Sequence, residues 1–379
     1  MIKRKKVLVA MSGGVDSSIA ALLLKKQGYE VMGAFMKNWS DTKNKITGDC
    51  AWRDERLMAT RIAAKLDIPL VTLDFEKEYK EQVVDEMFKL YSKGITPNPD
   101  VDCNKKIKFP LLWKAAKKLK ADYVATGHYV RIKKNTIQSN KKEEVIELHR
   151  GKDESKDQSY FLYRLKKEDL KHTLFPIGDY TKVQIRELAK KNNFPNSDKK
   201  GTVGICFIGK INLKDFLKKR IPQKKGKILD PEGKEIGEHD GIYYYTIGQR
   251  IGPRYGINLD KSKFEDKRNV SRWYVAKKNL KTNTIIAAPQ DHPILYRKEI
   301  TIKDFHLISD EKEPLQKHST PVLSRIRQVG ELLPSTLSYD KKTKRFKIIL
   351  KKAITGVSEG QAIVLYQKQK VLGGGVITF

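Results

Sequence analysis

The string Ser12-Gly13-Gly14-Val15-Asp16-Ser17-Ser18 constrains the fold of this chain more than any other segment, because of what flanks it. Before it, Val7-Leu8-Val9-Ala10-Met11 is short and wholly apolar, the pattern of a strand buried on both faces of a parallel sheet. After it, residues 19–26 are rich in Leu and Ala and read as a helix that can stop at Gly28. The two glycines therefore sit at a strand-to-helix turn. Glycine there lets the backbone approach a phosphate closely, the amides that follow point out of a helix N-terminus, and the hydroxyls of Ser12, Ser17 and Ser18 add donors. No lysine follows the glycines, which excludes a Walker A loop.

The same alternation continues through the first half. Residues 30–36, 70–73 and 123–126 read as strands, and residues 54–66 and 76–93 as amphipathic helices. This pattern predicts an α/β fold with a doubly wound parallel sheet, in which ligands bind beyond the carboxyl ends of the strands. Three segments fall there: Ser12 to Ser17, Met36-Lys37-Asn38-Trp39 and Gly127-His128-Tyr129. Met36 and Gly127 suit the wall of an adenine or ribose site, whereas His128 reads as a structural histidine with its hydrogen bonds satisfied. The Lys-rich stretch 133–144 reads as a solvated hairpin or loop. Beyond about residue 213 the helical period fades. Short β elements surround the turn Asp230-Pro231-Glu232-Gly233, and from about 284 onward alternating strands predict a small antiparallel barrel. The expected division is a catalytic unit at 1–212, a central β-rich unit at 213–283 and a C-terminal barrel at 284–379.

Charge narrows the partner. A formal excess of +32 over 379 residues creates a field that concentrates a polyanion, which points to nucleic acid before a small acidic ligand. Lysine outnumbers arginine along the whole chain, as a biased genome composition would also produce. No apolar run is long enough for export or membrane insertion, so a cytoplasmic protein is expected. Three cysteines, Cys50, Cys103 and Cys206, form neither a disulfide framework nor a metal-finger spacing, so any cysteine with a function acts as a reactive thiol. Cys103 follows a loop with two prolines and opens a lysine-rich helix start, surroundings that lower a thiol pKa. Cys206 lies in the glycine-rich run Gly201-Thr202-Val203-Gly204-Ile205-Cys206-Phe207-Ile208-Gly209, read as a loop able to carry its sulfur into a site; Cys50 reads as structural or incidental.

The loop resembles the PP-loop of the N-type ATP pyrophosphatases, which cleave ATP between the α and β phosphates and activate an oxygen with the AMP portion. The resemblance extends further. Phe35-Met36-Lys37-Asn38-Trp39, Asn98-Pro99-Asp100 with Cys103, Ala125-Thr126-Gly127-His128-Tyr129, Lys156-Asp157-Gln158-Ser159-Tyr160, Gly204-Ile205-Cys206-Phe207-Ile208-Gly209, Tyr245-Thr246-Ile247-Gly248-Gln249-Arg250 and Leu372-Gly373-Gly374-Gly375 follow the loop in order. Together they are similar to the tRNA-specific 2-thiouridylase family over essentially the whole chain. That resemblance implies ATP held by Ala10, Met11, Ser12, Gly13, Gly14, Val15, Asp16 and Ser17 with Met36 and Gly127, magnesium accompanying it, and a tRNA whose wobble uridine is adenylated on its C2 oxygen. It further implies a persulfide on Cys206, supplied by a cysteine desulfurase or a relay protein, and a Cys103–Cys206 disulfide formed as sulfur is delivered; free hydrosulfide is the alternative route. Asp100 would polarise the base, Asn98, Pro99 and Asp100 would meet the flipped uridine, and Lys156, Asp157, Gln158, Arg325 and Ile326 would contact tRNA. Where the family usually has Arg-Tyr-Arg-Gln this chain has Arg325-Ile326-Arg327-Gln328, so Ile326 offers no ring to stack on a base. A monomer is expected, since one tRNA can occupy its basic face. Two other readings remain: a nitrogen-inserting, AMP-forming ligase, which leaves both cysteines without a role, and a non-catalytic RNA-binding protein, which leaves the intact loop without one.

Overall fold

The computed structural model describes residues 4–40, 51–138, 142–199, 201, 204, 206, 208, 212–252, 272–309, 319–328 and 330–379. Cys50 lies outside them, as do Thr202, Val203, Ile205, Phe207 and Gly209.

The first strand, β1 (Lys6–Ala10), buries Val7, Leu8 and Val9 completely, each contributing about 1.5–3 kcal/mol by leaving water. The turn after it opens α1 (Val15–Lys26), whose Leu and Ala side chains are buried almost all round before the chain turns at Gln27 and Gly28. Then follow β2 (Glu30–Lys37), α2 (Ala51–Leu66), β3 (Leu70–Asp74), α3 (Glu76–Tyr79) and α4 (Asp85–Ser92). Next come α5 (Pro99–Asp102), α6 (Phe109–Lys118), β4 (Tyr123–Ala125), the hairpin β5 (Val130–Gln138) and β6 (Lys142–Arg150), α7 (Ser159–Leu162), α8 (Lys167–Lys171), β7 (Thr173–Leu174), α9 (Lys182–Lys191) and α10 (Leu213–Lys218). The parallel sheet runs β3-β2-β1-β4-β7. Strand order reverses between β1 and β4, and a crevice opens at such a switch point, which is where the glycine loop lies. The single helix expected over 76–93 is α3 and α4 joined by one π-helical turn, Lys80–Val84.

A second, mixed sheet has the order β10-β11-β12-β8-β9, built from β8 (Gly226–Leu229), β9 (Glu235–His239), β10 (Arg250–Ile251), β11 (Trp273–Asn279) and β12 (Thr284–Pro289). Residues 284–289, expected to open the barrel, instead pair antiparallel with β11 and parallel with β8. An alternating strand signals a half-buried face and says nothing about which sheet it joins; we place the boundary of the central unit after Pro289. The barrel is β13 (Tyr296–Leu307), β14 (Thr320–Arg325), β15 (Leu333–Asp340), β16 (Arg345–Thr355), β17 (Ala362–Gln367) and β18 (Lys370–Thr378), ordered β13-β16-β15-β14-β17-β18 and closed by β13 on β18. The lysine-rich segment is the β5–β6 hairpin, and it joins the barrel through His149 opposite Lys370.

The three units share cores. One cluster runs from Leu8, Ala34 and Val124 under the parallel sheet through Tyr79, Cys103 and Ile107 to Ile228, Val275 and Ile285 of the central sheet. Another joins Val130, Leu148 and Tyr160 to Val364 and Tyr366 of the barrel.

Candidate active site

At the carboxyl end of the parallel sheet lies a cavity of about 860 Å³. One end is the glycine loop. Gly13 takes φ +71, a left-handed conformation that glycine adopts without strain, and it faces α2: a Cβ there would meet Glu55 O at 2.4 Å. Ser12 N–H donates to Ser17 Oγ at 3.3 Å, and Ser17 and Ser18 hydroxyls donate to Gly14 O at 3.1 and 2.9 Å. From beneath, the buried Asn196 Nδ2 donates to Gly13 O and Ser18 Oγ at 3.1 and 3.0 Å. The first-turn amides of α1 are thereby set toward the cavity, which Ala10, Met11, Ser12, Gly14, Val15, Asp16, Ser17, Met36 and Gly127 all border. Gly127 also lies against the start of α1, where a Cβ would come within 2.7 Å of Ser17 N.

The other end holds the sulfurs. Asn98 caps α5, its Oδ1 accepting from Val101 N at 3.3 Å with Pro99 in the first turn. The chain then passes through a π-helical turn, Cys103–Lys108, into α6. In a regular α-helix of 3.6 residues per turn, a residue five positions on points about 140° away; the wider turn brings Lys108 back toward the side of Cys103. Cys103 Sγ lies 3.9 Å from Cys206 Sγ, and Lys108 Nζ donates to Cys206 Sγ at 3.7 Å. Two hydrogen bonds pin the Cys206 backbone: Asp100 Oδ1 accepts its N–H at 2.7 Å, and Tyr79 Oη donates to its carbonyl at 2.5 Å. Asp100, Lys108 and Cys206 border the same cavity as the glycine loop, and Cys103 is fully buried beside Cys206.

Electrostatics separate the two thiols. The Cys103 thiol donates to Cys206 and Lys108 adds positive charge, so the Cys206 pKa is held below its ordinary value against the effect of burial. Burial first, then the neighbouring Cys206, push Cys103 well above the ordinary value. This corrects the sequence expectation that lysines and a helix start would activate Cys103. Lys108 does pull the thiol down, but Cys103 lies inside the core, where burial and the facing Cys206 outweigh it. Burial raises Asp100, partly opposed by the Cys206 amide and by Lys108. Burial opposes the charge of Lys108, yet Cys206, Cys103 and Asp100 outweigh it and raise its pKa. His128 is buried, and with Lys108 beside it stays neutral; its Nε2 accepts from Lys108 at 3.4 Å while Nδ1–H donates to Thr126 Oγ1 at 2.7 Å. Both of its ring nitrogens are hydrogen-bonded, and it borders the cavity.

The residues expected to touch RNA divide in two. Lys156 is exposed at the cavity rim, and Gln158 borders the cavity while its Oε1 accepts from Tyr129 N at 3.0 Å. Asp157, Arg325 and Ile326 are buried instead, 1%, 4% and 4% exposed. Asp157 accepts from Arg150 Nε at 3.4 Å, Arg325 Nη1 at 2.8 Å and the amides of Gly151 and Ser159. Arg325 therefore presents no guanidinium to a phosphate here, because a buried carboxylate requires that charge. Ile326 offers its carbonyl to Tyr160 Oη at 3.2 Å. Lys108, Tyr79, Lys182 and Arg186 were not singled out from the sequence. Lys108 entered only as one of the lysines after Cys103, while Tyr79 and the α9 pair Lys182 and Arg186 lie far from it in sequence, with residue type as their only signal.

Three consecutive family matches cover the chain: tRNA methyl transferase HUP domain over residues 5–210, tRNA methyl transferase PRC-barrel domain over 214–289, and aminomethyltransferase beta-barrel domain over 297–377. Full-length relatives carry a different name. A tRNA-specific 2-thiouridylase MnmA of Methylobacillus flagellatus is 40% identical over 377 residues, covering 99% of both chains. Proteins of the same name from Blochmanniella pennsylvanica and Lactobacillus helveticus are 42% and 38% identical, covering 99% of this chain and 97% and 95% of theirs. Among solved structures, a 4-thiouridine synthetase–RNA complex with bound ATP is 16% identical, covers 57% of this chain and 50% of that chain, and has a TM-score of 0.36, a likeness too slight to bear on this protein. With three domains matched in order and identities near 40% from end to end, the chain belongs to the tRNA-specific 2-thiouridylase family.

Proposed function

We infer that this protein is an ATP-dependent tRNA-uridine 2-sulfurtransferase, converting the wobble uridine at position 34 of tRNA into 2-thiouridine with release of AMP and pyrophosphate. The observation that carries this reading is the pair of sulfurs 3.9 Å apart, one of them bordering the cavity that the glycine loop closes at its other end. Methyl transfer, which the domain descriptions name, has no use for two adjacent thiols of opposite pKa shift.

Uracil C2 is a poor electrophile until its oxygen becomes a leaving group. In the first step O2 attacks the α-phosphorus of ATP, the bond to the β-phosphate oxygen breaks, and pyrophosphate leaves with that electron pair. The loop from Ala10 to Ser17 holds the nucleotide, with Met36 and Gly127 as its walls, and magnesium enters with the triphosphate. Among the described residues no group of three or more His, Cys, Asp or Glu side chains could hold a metal ion, and magnesium bound to the triphosphate would add positive charge at the leaving pyrophosphate. Asn98, Pro99 and Asp100 meet the flipped base, and Asp100, its pKa raised by burial, polarises it and takes the N3 proton. In the second step the outer sulfur of a Cys206 persulfide attacks C2 and AMP departs. Cys103 then attacks Cys206 Sγ, the old S–S bond breaks, its electron pair stays on the sulfur bound to C2, and a Cys103–Cys206 disulfide forms. Release of hydrosulfide by Cys103 before attack on C2 uses the same atoms. A cysteine desulfurase or relay protein reloads the persulfide once a thiol has reduced the disulfide. Lys156 and Gln158 contact the tRNA, while Asp157, Arg325 and Ile326 support that face from below. The protein acts as a cytoplasmic monomer; among the described residues no helix is long and apolar enough to cross a membrane.

The test is incubation with ATP, magnesium, a persulfide donor and unmodified tRNA, then digestion and mass spectrometry of the nucleosides. The wild type should yield 2-thiouridine, and Cys103→Ser and Cys206→Ser should each lower it at least 100-fold. Pyrophosphate release without thiouridine would sink the substrate assignment. Full activity of Cys206→Ser would favour the nitrogen-inserting ligase.

A further inference from the structure

The glycine loop carries no lysine of its own, yet adenylation expels pyrophosphate, and the charge gathering on that leaving group requires a cation. Tertiary structure brings one from 166 residues away. Lys182, the first residue of α9, extends its Nζ to Asp16 Oδ1 at 2.6 Å, over the ring of Tyr129 at 5.9 Å. Its position is set from both ends: its backbone N–H donates to Asp153 Oδ2 at 2.9 Å, and its side chain is only 16% exposed. Tyr129 Oη donates to the same Asp16 Oδ1 at 2.7 Å, so that carboxylate keeps a partner if Lys182 turns away. Arg186 lies four residues on along the same helix face and also borders the cavity, as does Lys199, whose carbonyl accepts from Arg186 Nη2 at 3.4 Å. An ion pair accounts for Lys182 beside Asp16. Glu55 lies near Lys199 as well, while Arg186 donates to a carbonyl, so three cations against two carboxylates leave a net positive charge on this side of the cleft that a polyanion would offset.

Building on the adenylation reading above, we propose that Lys182, with Arg186 beside it, clamps the β and γ phosphates of ATP and stabilises the departing pyrophosphate. Asp16 parks the Lys182 ammonium in the absence of nucleotide, and the triphosphate takes it over. The residue thus supplies what the lysine of a Walker A loop supplies, from α9, the helix packed beside α1.

AMP separates this role from a structural one, since it shares the adenosine and α phosphate of ATP and lacks the other two. Binding of each nucleotide is measured by calorimetry on the full chain. Lys182→Met should weaken ATP at least tenfold and AMP less than twofold, Lys182→Arg should keep most of the ATP affinity, and Arg186→Gln, which leaves Asp16 untouched, should repeat the ATP-selective loss. Equal weakening of both nucleotides would overturn the clamp. So would recovery of ATP affinity in the double variant Asp16→Asn, Lys182→Met, because Lys182 would then only neutralise Asp16. If Lys182→Met does not fold, the Arg186→Gln ratio decides alone. Wild-type protein that binds neither nucleotide overturns the adenylation reading itself, and the clamp with it.

Discussion

Cys206 and Cys103 are chemically identical residues made unlike by their neighbours. Cys206 accepts from a thiol and a lysine, both of which favour its thiolate, whereas Cys103 is enclosed by core side chains and faces that thiolate. A sulfur that carries a persulfide benefits from being ionised at neutral pH, and one that waits to resolve it benefits from staying protonated until then. The sign follows directly. With its pKa held down, Cys206 remains thiolate below the pH of about 8.5 at which a free cysteine half-ionises. Iodoacetamide labelling against pH, read by peptide mass spectrometry, should therefore show Cys206 reacting at lower pH than Cys103. Lys108→Met should raise the pH of half-maximal Cys206 labelling, and identical profiles for both cysteines would contradict this account.

At the scale of elements, the strand-to-helix turn and the π-helical turn do the positioning. The loop faces the cavity because α1 starts where Gly127, arriving from β4, leaves room for its first turn. Gly127→Ala would drive a Cβ to 2.7 Å from Ser17 N and 2.8 Å from Asp16 C, both backbone atoms that cannot swing aside. The expected result is a protein with unchanged circular dichroism and ATP affinity lowered about tenfold or more, an energy of about 1.4 kcal/mol, well within what a displaced helix start costs. Unchanged ATP binding would mean that the nucleotide does not rest on these amides. The βαβ alternation and this loop were legible because a strand buried on both faces, two glycines and an apolar helix leave a local pattern. The π-turn at Cys103–Lys108 was not, since it differs from an α-helix only in which residues share a face.

Across the whole molecule, the two β units grip the strap that leads into the cavity. Gln361 of the barrel donates to Thr96 O and Pro97 O at 3.0 and 2.8 Å, and Thr96 N–H donates to Glu359 O at 3.2 Å. Lys278 of the central sheet donates to Gly94 O at 2.5 Å and to Tyr245 O at 2.9 Å; burial pushes its pKa down to about 8, with Glu359 opposing. Asn98 and Asp100 follow immediately, so the geometry at the sulfur end of the cavity depends on all three units being docked. Asp157 joins the hairpin to the barrel by pairing with both Arg150 and Arg325. Asp157→Asn removes the buried carboxylate that Arg325 pairs with and leaves Arg150 only the exposed Glu154, and should cost about 3–5 kcal/mol. Urea denaturation should show a lower midpoint with the slope unchanged; a variant as stable as the wild type would mean that the network is dispensable.

The sequence by itself determined the parallel-sheet class and the glycine turn between β1 and α1, and it singled out the two cysteines that the fold brings 3.9 Å apart, because buried strands, glycine turns and motif strings are written in consecutive residues. It also announced a terminal barrel. What it left open was everything that depends on residues meeting from afar: that Thr284–Pro289 joins the central sheet, that β13 closes on β18, and that Arg325 serves Asp157 rather than a phosphate. The same holds for the chemistry. Lys108 and Lys182 look like any other of the chain's many lysines until the fold sets one beside Cys206 and the other against Asp16 of the loop. Charge and solvation act through space, so pKa order and cation placement are properties of the folded arrangement.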